Sequence, residues 1–205
     1  MSQDSLVFYT NPHSRGRIAR WMLEEVGVPY RTEVVPFGPP MKTAEYLSVN
    51  PMGKVPAIVH NGSVVTEVAA ICAYLADAFP EARLAPRASE RADYYRWLFF
   101  VAGPLEAAAT NKALTVEVPA DKQGLVGYGT LESVVATLAK AVSRNHFIAG
   151  DEFSAADVYV GSHINWGMQV GTLPRHPDFL SYSERISARK AHKRAIELDD
   201  QLEAG

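Results

Sequence analysis

The chain has a single cysteine, Cys72. No internal disulfide and no Cys-x-x-Cys pair can form, which excludes a disulfide-stapled scaffold and a dithiol redox centre. No apolar run approaches the ~20 residues that a membrane-spanning helix requires. The opening residues, Met1-Ser2-Gln3-Asp4-Ser5, carry no basic stretch ahead of an apolar core, so no secretory signal is visible. Positive charge is not in excess: 20 Lys and Arg stand against 23 Asp and Glu, a formal net charge of −3. There is therefore no electrostatic reason to expect nucleic acid as the main partner. Repeats and low-complexity tracts are also lacking. What remains is a chain of 205 residues, 47% hydrophobic and 21% charged. That fits a soluble globular protein of one large or two small domains, and a cytoplasmic location is the expectation.

Leu6-Val7-Phe8-Tyr9 reads as a short strand, ended by Asn11-Pro12. From Arg15 the period changes: Ile18, Trp21, Met22 and Val26 form one stripe of a helix, with Ser14 as N-cap and Gly27 as C-cap. Tyr30 to Pro36 reads as a second strand, and strand–helix–strand implies a parallel pair. A short helix is expected at Thr43–Leu47. Val55 to Val59 reads as a third strand, joined through the hairpin signal Asn61-Gly62 to Ser63-Val64-Val65. Val68, Ile71, Cys72 and Leu75 then mark another helix. The order βαβ then ββα predicts an α/β thioredoxin-like domain over residues 1–80. Residues 81–88 read as a linker. Residues 89–205 show helical periods only, at Glu90–Phe100, Thr130–Ser143, from Ser154, and in two short helices over Asp178–Leu198, so an all-α domain is expected there.

Four local features carry chemistry or its scaffolding. Val55-Pro56 places a proline at the start of an apolar strand, where it cannot donate to a ladder. A cis bond or an ordinary trans edge proline would each accommodate it. Thr66-Glu67-Val68 precedes a helix, where free N–H groups bind carboxylates and the Glu67 carboxylate can bind an ammonium group. The plain alternative is a Thr66 N-cap with Glu67 complementing the helix dipole. Asn11 to Arg17 joins a hydroxyl, free N–H groups and two arginines before a helix, surroundings that stabilise a thiolate; a simple serine cap with solvated arginines is the alternative. Phe153-Ser154-Ala155-Ala156-Asp157 has the spacing of a capping box, with Val158 placed to complete a hydrophobic staple. That feature is structural.

Together these segments resemble the cytosolic glutathione transferase superfamily, of bacterial type with a serine or theta-like first loop. Asn50-Pro51-Met52-Gly53-Lys54-Val55-Pro56-Ala57-Ile58 is similar to the family's N-P-x-G-K-V-P-x-L/I segment. Val65-Thr66-Glu67-Val68-Ala69-Ala70-Ile71-Cys72-Ala73-Tyr74-Leu75 is similar to its L-x-E-S-x-A-I-x-x-Y-L segment. Gly150-Asp151-Glu152-Phe153-Ser154-Ala155-Ala156-Asp157 is similar to its G-D-x-F-S-x-A-D signature. The resemblance implies a cis Val55–Pro56 bond, with the Val55 backbone pairing the cysteinyl part of glutathione. It implies that Glu67 and the N–H of Val68 hold the γ-glutamyl end, and that Lys42 and Lys54 face the glycine carboxylate. Glutathione is then the co-substrate, with no metal, and a homodimer is expected. Val68 stands where the family has serine, and Met41 where theta-type relatives often have histidine; both changes would weaken glutathione affinity.

The activity implied is conjugation of the glutathione thiolate to a small hydrophobic electrophile. Free thiols have a pKa of about 8.5, so the protein must favour the thiolate. Ser14 is the preferred donor to sulfur, with His13 and Tyr9 as alternatives, and Arg15 or Arg17 could add positive potential. Cys72 reads as packing. The first loop has no cysteine, which argues against the cysteine-type and zeta-type relatives. The electrophile pocket is expected between the domains, with Tyr94, Tyr95, Trp97, Phe100, Asn111 and Trp166 as candidates. A non-catalytic ligand- or protein-binding member of the fold, or a glutathione-dependent isomerase or peroxidase, are the competing readings.

Overall fold

The computed structural model describes residues 5–204. The reading of the first residues as free of a leader rests on residues 1–4, outside the described residues. Strand β1 (Leu6–Thr10) alternates strictly, with Leu6, Phe8 and Thr10 buried and the residues between them half-buried. This is the period of two that gives a strand two faces. Helix α1 (Gly16–Val26) turns Ile18, Trp21, Met22 and Leu23 inward and ends at Gly27, whose φ of 75° lets its N–H reach the Leu23 carbonyl. The helix starts one residue later than the sequence suggests. Arg15 occupies the cap position, and Ser14 lies just outside it. A Cβ on residue 16 would come within 2.0 Å of Thr10 Oγ1, so only glycine lets the helix start this close to β1.

β2 (Arg31–Val34) runs parallel to β1, and β3 (Ala57–His60) antiparallel to it. β4 (Ser63–Thr66) pairs antiparallel with β3 through a two-residue turn at Asn61 and Gly62, both with positive φ. The strand order is β2-β1-β3-β4. α3 (Val68–Ala78) buries Val68, Ile71, Cys72 and Leu75, the stripe expected from the sequence. On the Tyr9 face of the sheet, α2 (Ala44–Val49) is capped by the Thr43 hydroxyl, which accepts from the Tyr46 N–H. Val35, Met41 and Tyr46 form a small apolar cluster there, joined by Tyr9, Val49 and Val55. The thioredoxin-like layout is therefore present: a mixed four-stranded sheet with helices on both faces.

The chain divides into two compact units, residues up to Leu84 together with those from Ala188 onward, and Ala85–Ser187. The C-terminal helix, which the linear reading placed in the helical domain, thus groups with the first unit. We label it α9 (Lys190–Ala204); it packs along α1. Between them, Arg20 and Asp199 form a buried ion pair at 3.0 Å, and Arg189 grips Glu25 at 2.6 and 2.7 Å. No local pattern in either segment announces this pairing.

The second unit contains α4 (Ala92–Phe100), α5 (Glu106–Ala113), α6 (Leu131–Arg144), α7 (Ala155–Val170) and α8 (Pro177–Ser187), with one isolated bridge between Phe147 and Gly150. Between α4 and α5 the helix widens into a π turn over Val101–Leu105 that contains Pro104. Proline has no N–H to return to the preceding turn, and the wider turn accommodates it. Asp157 organises the start of α7. Its Oδ2 accepts from the Ser154 N–H at 2.9 Å and the Ser154 hydroxyl at 3.0 Å, and its Oδ1 accepts from the Ile148 N–H at 2.8 Å and the Tyr182 hydroxyl at 2.7 Å. The capping box read from sequence is thus the centre of a fully buried polar network. Among the described residues, no helix is long and apolar enough to cross a membrane, and no cluster of His, Cys, Asp and Glu could hold a metal ion.

Candidate functional site

Strand register brings the candidate residues to one end of the sheet. Tyr9 pairs with Ala57, and Ala57 pairs with Thr66. The loop after β1, the segment before β3 and the turn after β4 therefore lie side by side. Thr10 pairs with Val34, so the segment that follows β2 leaves the sheet at the same end. This is the carboxyl end of the parallel pair, where ligands of open α/β sheets bind.

The first loop is held by its own side chains. Asn11, buried, donates its amide to the Val35 carbonyl at 3.1 Å and accepts from the His13 N–H at 3.0 Å. Ser14 Oγ donates to the Asn11 carbonyl at 2.7 Å and accepts from the Gly16 N–H at 2.9 Å. The serine hydroxyl thus does part of a cap's work from one residue outside the cap. His13 projects outward, 66% exposed, with Nδ1 3.4 Å from Glu203. Tyr9 lies in the apolar cluster, its ring 5.8 Å from that of Tyr46. Arg17 donates Nε to the Pro12 carbonyl at 2.6 Å and pairs with Asp200 and Glu203. Burial works against its charge, but Glu203 and Asp200 outweigh that and raise the guanidinium pKa. Its charge is therefore answered within the protein, not left as open positive potential.

The segment before β3 is braced from below. The Val55–Pro56 bond is cis, as expected. The Lys54 carbonyl accepts from Tyr46 Oη at 2.6 Å and from Asn50 Nδ2 at 2.8 Å. Asn50 Oδ1 also accepts from the Met52 N–H at 3.1 Å, the Asx turn that Asn-Pro announces. Lys42 Nζ donates to the Met52 and Gly53 carbonyls at 3.0 and 3.4 Å, which leaves ammonium capacity for an anion. Lys54 is exposed. Tyr46 and Asn50 were not among the candidates from sequence. The Asn-Pro turn was a usable signal for Asn50; Tyr46 reads simply as a core aromatic of a short helix.

Glu67 is exposed and sits at φ 65°, ψ 117°, in the N-cap position of α3 with no side-chain cap bond. A non-glycine residue at positive φ costs about 1–3 kcal/mol and persists where the surroundings dictate it. The conformation turns this carboxylate away from a capping role, so neither Thr66, which ends β4, nor Glu67 caps the helix by its side chain. The first N–H groups of α3 have no partner in their own helix and supply an anion site. Val68 is buried at 9% exposure with the α3 stripe, so its side chain adds packing in place of a hydroxyl.

A carboxylate held out beside free helix N–H groups thus lies next to a braced Val-cis-Pro segment and a serine-bearing loop. A family model described as the glutathione S-transferase N-terminal domain matches residues 14–78. That stretch of the chain is similar to the amino-terminal domain of glutathione S-transferases, and the fold is shared with solved glutathione transferases. Glutathione S-transferase GstA of Escherichia coli O157:H7 is 30% identical over 129 residues, 62% of this chain and 63% of that protein, just under two thirds of its length. Disulfide-bond oxidoreductase YfcG of Escherichia coli K12 is 28% identical over 203 residues, 92% of this chain and 93% of that one. A glutathione transferase family member from Pseudomonas fluorescens Pf-5, solved with two glutathione bound, superposes with a TM-score of 0.77 at 25% identity, covering 94% of this chain and 92% of that one. The thioredoxin-like unit and the helical unit are those of the glutathione transferase fold.

Within the helical unit, the electrophile candidates separate by exposure. Tyr94 and Trp97 are 1% and 6% exposed and belong to its core, whereas Trp166 is 62% exposed. Asn111 donates its amide to the Tyr128 hydroxyl at 2.8 Å. Phe100 is half-buried with its ring against Trp97, and Tyr95 is exposed. Cys72 is fully buried, and burial holds its thiol far above the ordinary range.

Proposed function

We propose that this chain binds glutathione at the end of the sheet where its three loops meet, and that it conjugates the thiolate to a small hydrophobic electrophile. The observation that supports this is the register Tyr9–Ala57–Thr66, which juxtaposes the Ser14 loop, the Val55–Pro56 segment and Glu67. In this reading Glu67 and the N–H of Val68 hold the γ-glutamyl group, the Val55 backbone pairs with the cysteinyl unit, and Lys42 and Lys54 face the glycine carboxylate. The ligand's ammonium group then meets Glu67, its γ-glutamyl carboxylate the Val68 N–H, and its glycine carboxylate the two lysines.

Ser14 is the thiol-activating residue in this reading. Lowering a thiol pKa by ~2 units takes roughly 2.7 kcal/mol of preference for the thiolate. The Ser14 hydroxyl has one proton, now given to the Asn11 carbonyl. Turning it to a thiolate exchanges a neutral acceptor for a charged one, and charge-assisted bonds are about twice as strong. Among the aromatic candidates, the exposed Trp166, with Asn111, is assigned to the electrophile. The protein is proposed to act as a homodimer in the cytoplasm.

Titration calorimetry with glutathione tests the reading. Loss of the charged hydrogen bond in Glu67→Ala should weaken binding by about 1.5–3 kcal/mol. Unchanged affinity in that variant would overturn the site, and wild-type protein that binds glutathione but conjugates none of a panel of electrophiles would overturn the reaction.

A second reading is favoured by the match over 203 residues to a disulfide-bond oxidoreductase. With Cys72 buried, both sulfurs would come from glutathione. Two glutathione thiols would be oxidised to one disulfide while a substrate disulfide accepts the two electrons and two protons and leaves as two thiols. Reduction of a small disulfide without electrophile conjugation would select it.

A further inference from the structure

α1 and α9 are joined by an antiparallel series of contacts. Glu25 meets Arg189, Trp21 stacks edge-on against His192 at 4.5 Å, and Arg20 meets Asp199. The last rung differs from these. Arg17 meets Asp200 at 3.0 Å and Glu203 at 2.5 Å, and the same guanidinium donates Nε to the carbonyl of Pro12, in the first loop itself. Glu203 also lies 3.4 Å from His13, one residue before Ser14. The final turns of the chain therefore reach the first loop of the candidate site.

We propose that Asp200 and Glu203 position the first loop for the glutathione sulfur, acting through Arg17 on the Pro12 carbonyl. The inference rests on the glutathione reading and adds the C-terminal turn of α9 to that site as positioning residues. Two observations support a positioning role over general helix adhesion. First, the helices are already joined by the buried Arg20–Asp199 pair, whereas the Arg17 pairs are partly exposed, 36% for Arg17 and 58% for Asp200. Pairs that exposed contribute little to stability. Second, the Nε bond fixes the plane of the guanidinium, so the two carboxylates set where the Pro12 carbonyl stands. Pro12 has no N–H of its own with which to hold the loop. Its carbonyl is the handle that remains, between the Asn11 and Ser14 bonds that shape the turn.

The test uses full-length protein. In Asp200→Asn/Glu203→Gln, amide hydrogen exchange at His13–Arg15 should accelerate by about tenfold or more, as for a loop released to open locally. The thiol pKa of bound glutathione, read by ultraviolet thiolate absorbance, should rise. Glutathione affinity should stay within about twofold, because Lys42, Lys54 and Glu67 are untouched, so the effect falls on kcat and not on KM. Arg17→Lys, which keeps the charge but not the fork, should behave as Arg17→Ala. Glu197→Gln, which removes the Arg194–Glu197 pair at 3.4 Å on the same helix, should change neither reading. Unchanged exchange in the double variant overturns the proposal. So does a fall in thiol pKa, which would mean that the carboxylates merely neutralise Arg17, and so does full rescue by Arg17→Lys. If the wild type binds no glutathione, the positioning role falls together with the functional reading; if it binds and the variants leave the thiol pKa alone, the positioning role alone falls.

Discussion

Tyr46 donates its hydroxyl to the main-chain carbonyl of Lys54 across 2.6 Å. Asn50 fills the other lone pair of that carbonyl. The short helix α2 thereby fixes the residue that precedes Val55, and with it the direction in which Val55 presents its backbone. The site is thus organised by groups that need never touch a ligand. Tyr46 packs in the apolar cluster with Tyr9, Val35 and Met41 and has a polar end free for this one bond.

Tyr46→Phe should keep the packing and lose the bond, at a cost of about 1 kcal/mol in stability measured by denaturant unfolding. Glutathione binding should weaken at the same time, because the Lys54–Val55 segment loses one of two anchors. The alkaline limb carries the signature of the bond. Burial, then the charge of Tyr9, pushes the Tyr46 phenol up to about 12. In the unfolded chain the phenol ionises near 10. Its contribution is therefore fully present below pH 10 and is lost as pH rises from about 10 towards 12. Tyr30, raised to about 12 by burial and by its bond to Glu24, acts with the same sign. Thermal melts between pH 9 and 11.5 should show a smaller alkaline decline in Tyr46→Phe than in wild type, and an equal decline would remove Tyr46 from the account.

Glu67→Gly should separate stability from binding. At φ 65° glycine has no Cβ to strain, so the variant should unfold at equal or higher temperature despite its new freedom in the unfolded chain. Glutathione affinity should fall as in Glu67→Ala, because the carboxylate is gone. A Glu67→Gly protein that is clearly less stable and binds normally would show that the backbone at this position does not store strain for function.

The parts of the fold legible in the sequence were those with a local period or a local turn chemistry. Ile18, Trp21 and Met22 mark α1 by spacing alone, Asn61-Gly62 marks the hairpin, and Ser154 with Asp157 marks the start of α7. Boundaries moved where distant residues intervened. α1 begins at Gly16, where Thr10 leaves no room for a Cβ, and β3 begins at Ala57 because Pro56 cannot donate to the ladder. The π turn and α5 were missed because Pro104 interrupts the helical pattern. Among the candidate site residues, Glu67, Val55 and Lys54 lie in motifs, Lys42 comes from the family resemblance, and Ser14 from its position before α1. The partners of Arg17 and Arg20 were not legible, since Asp199, Asp200 and Glu203 lie some 180 positions away with no pattern linking them. Tyr94 and Trp97 looked like pocket aromatics because composition does not tell a core face from an open one; their burial does.

Cys72 should be inert in the folded protein. It is fully buried in the α3 stripe, and burial alone raises its thiol, so thiolate is scarce well beyond pH 9. A chromogenic disulfide reagent at pH 8 should label no thiol in native protein and one thiol per chain in guanidinium. Labelling of the native protein on the timescale of a free thiol would reopen a role for this cysteine in the oxidoreductase reading.

The first loop offers the closest contest, between Ser14 and His13. Ser14 is half-buried, and its hydroxyl already bridges the Asn11 carbonyl and the Gly16 N–H at the entrance to α1. His13 stands one residue earlier, largely in solvent and beside Glu203. A hydroxyl in the Ser14 position can turn from the Asn11 carbonyl to a thiolate by rotation about one bond, and keeps the Gly16 N–H as it does so. The imidazole would first have to leave solvent, with its chain direction reversed. Ser14→Ala should therefore raise the pKa of bound glutathione and lower the conjugation rate near neutral pH, while costing ~1 kcal/mol in stability for the lost helix-start bond. His13→Ala should leave both the thiol pKa and the rate near wild type. The discriminating measurement is thiolate absorbance against pH for the two variants, with unfolding followed separately. A stability loss in Ser14→Ala with no change in thiol pKa would reduce the serine to a structural bridge. A shift confined to His13→Ala would move the activating group to the imidazole.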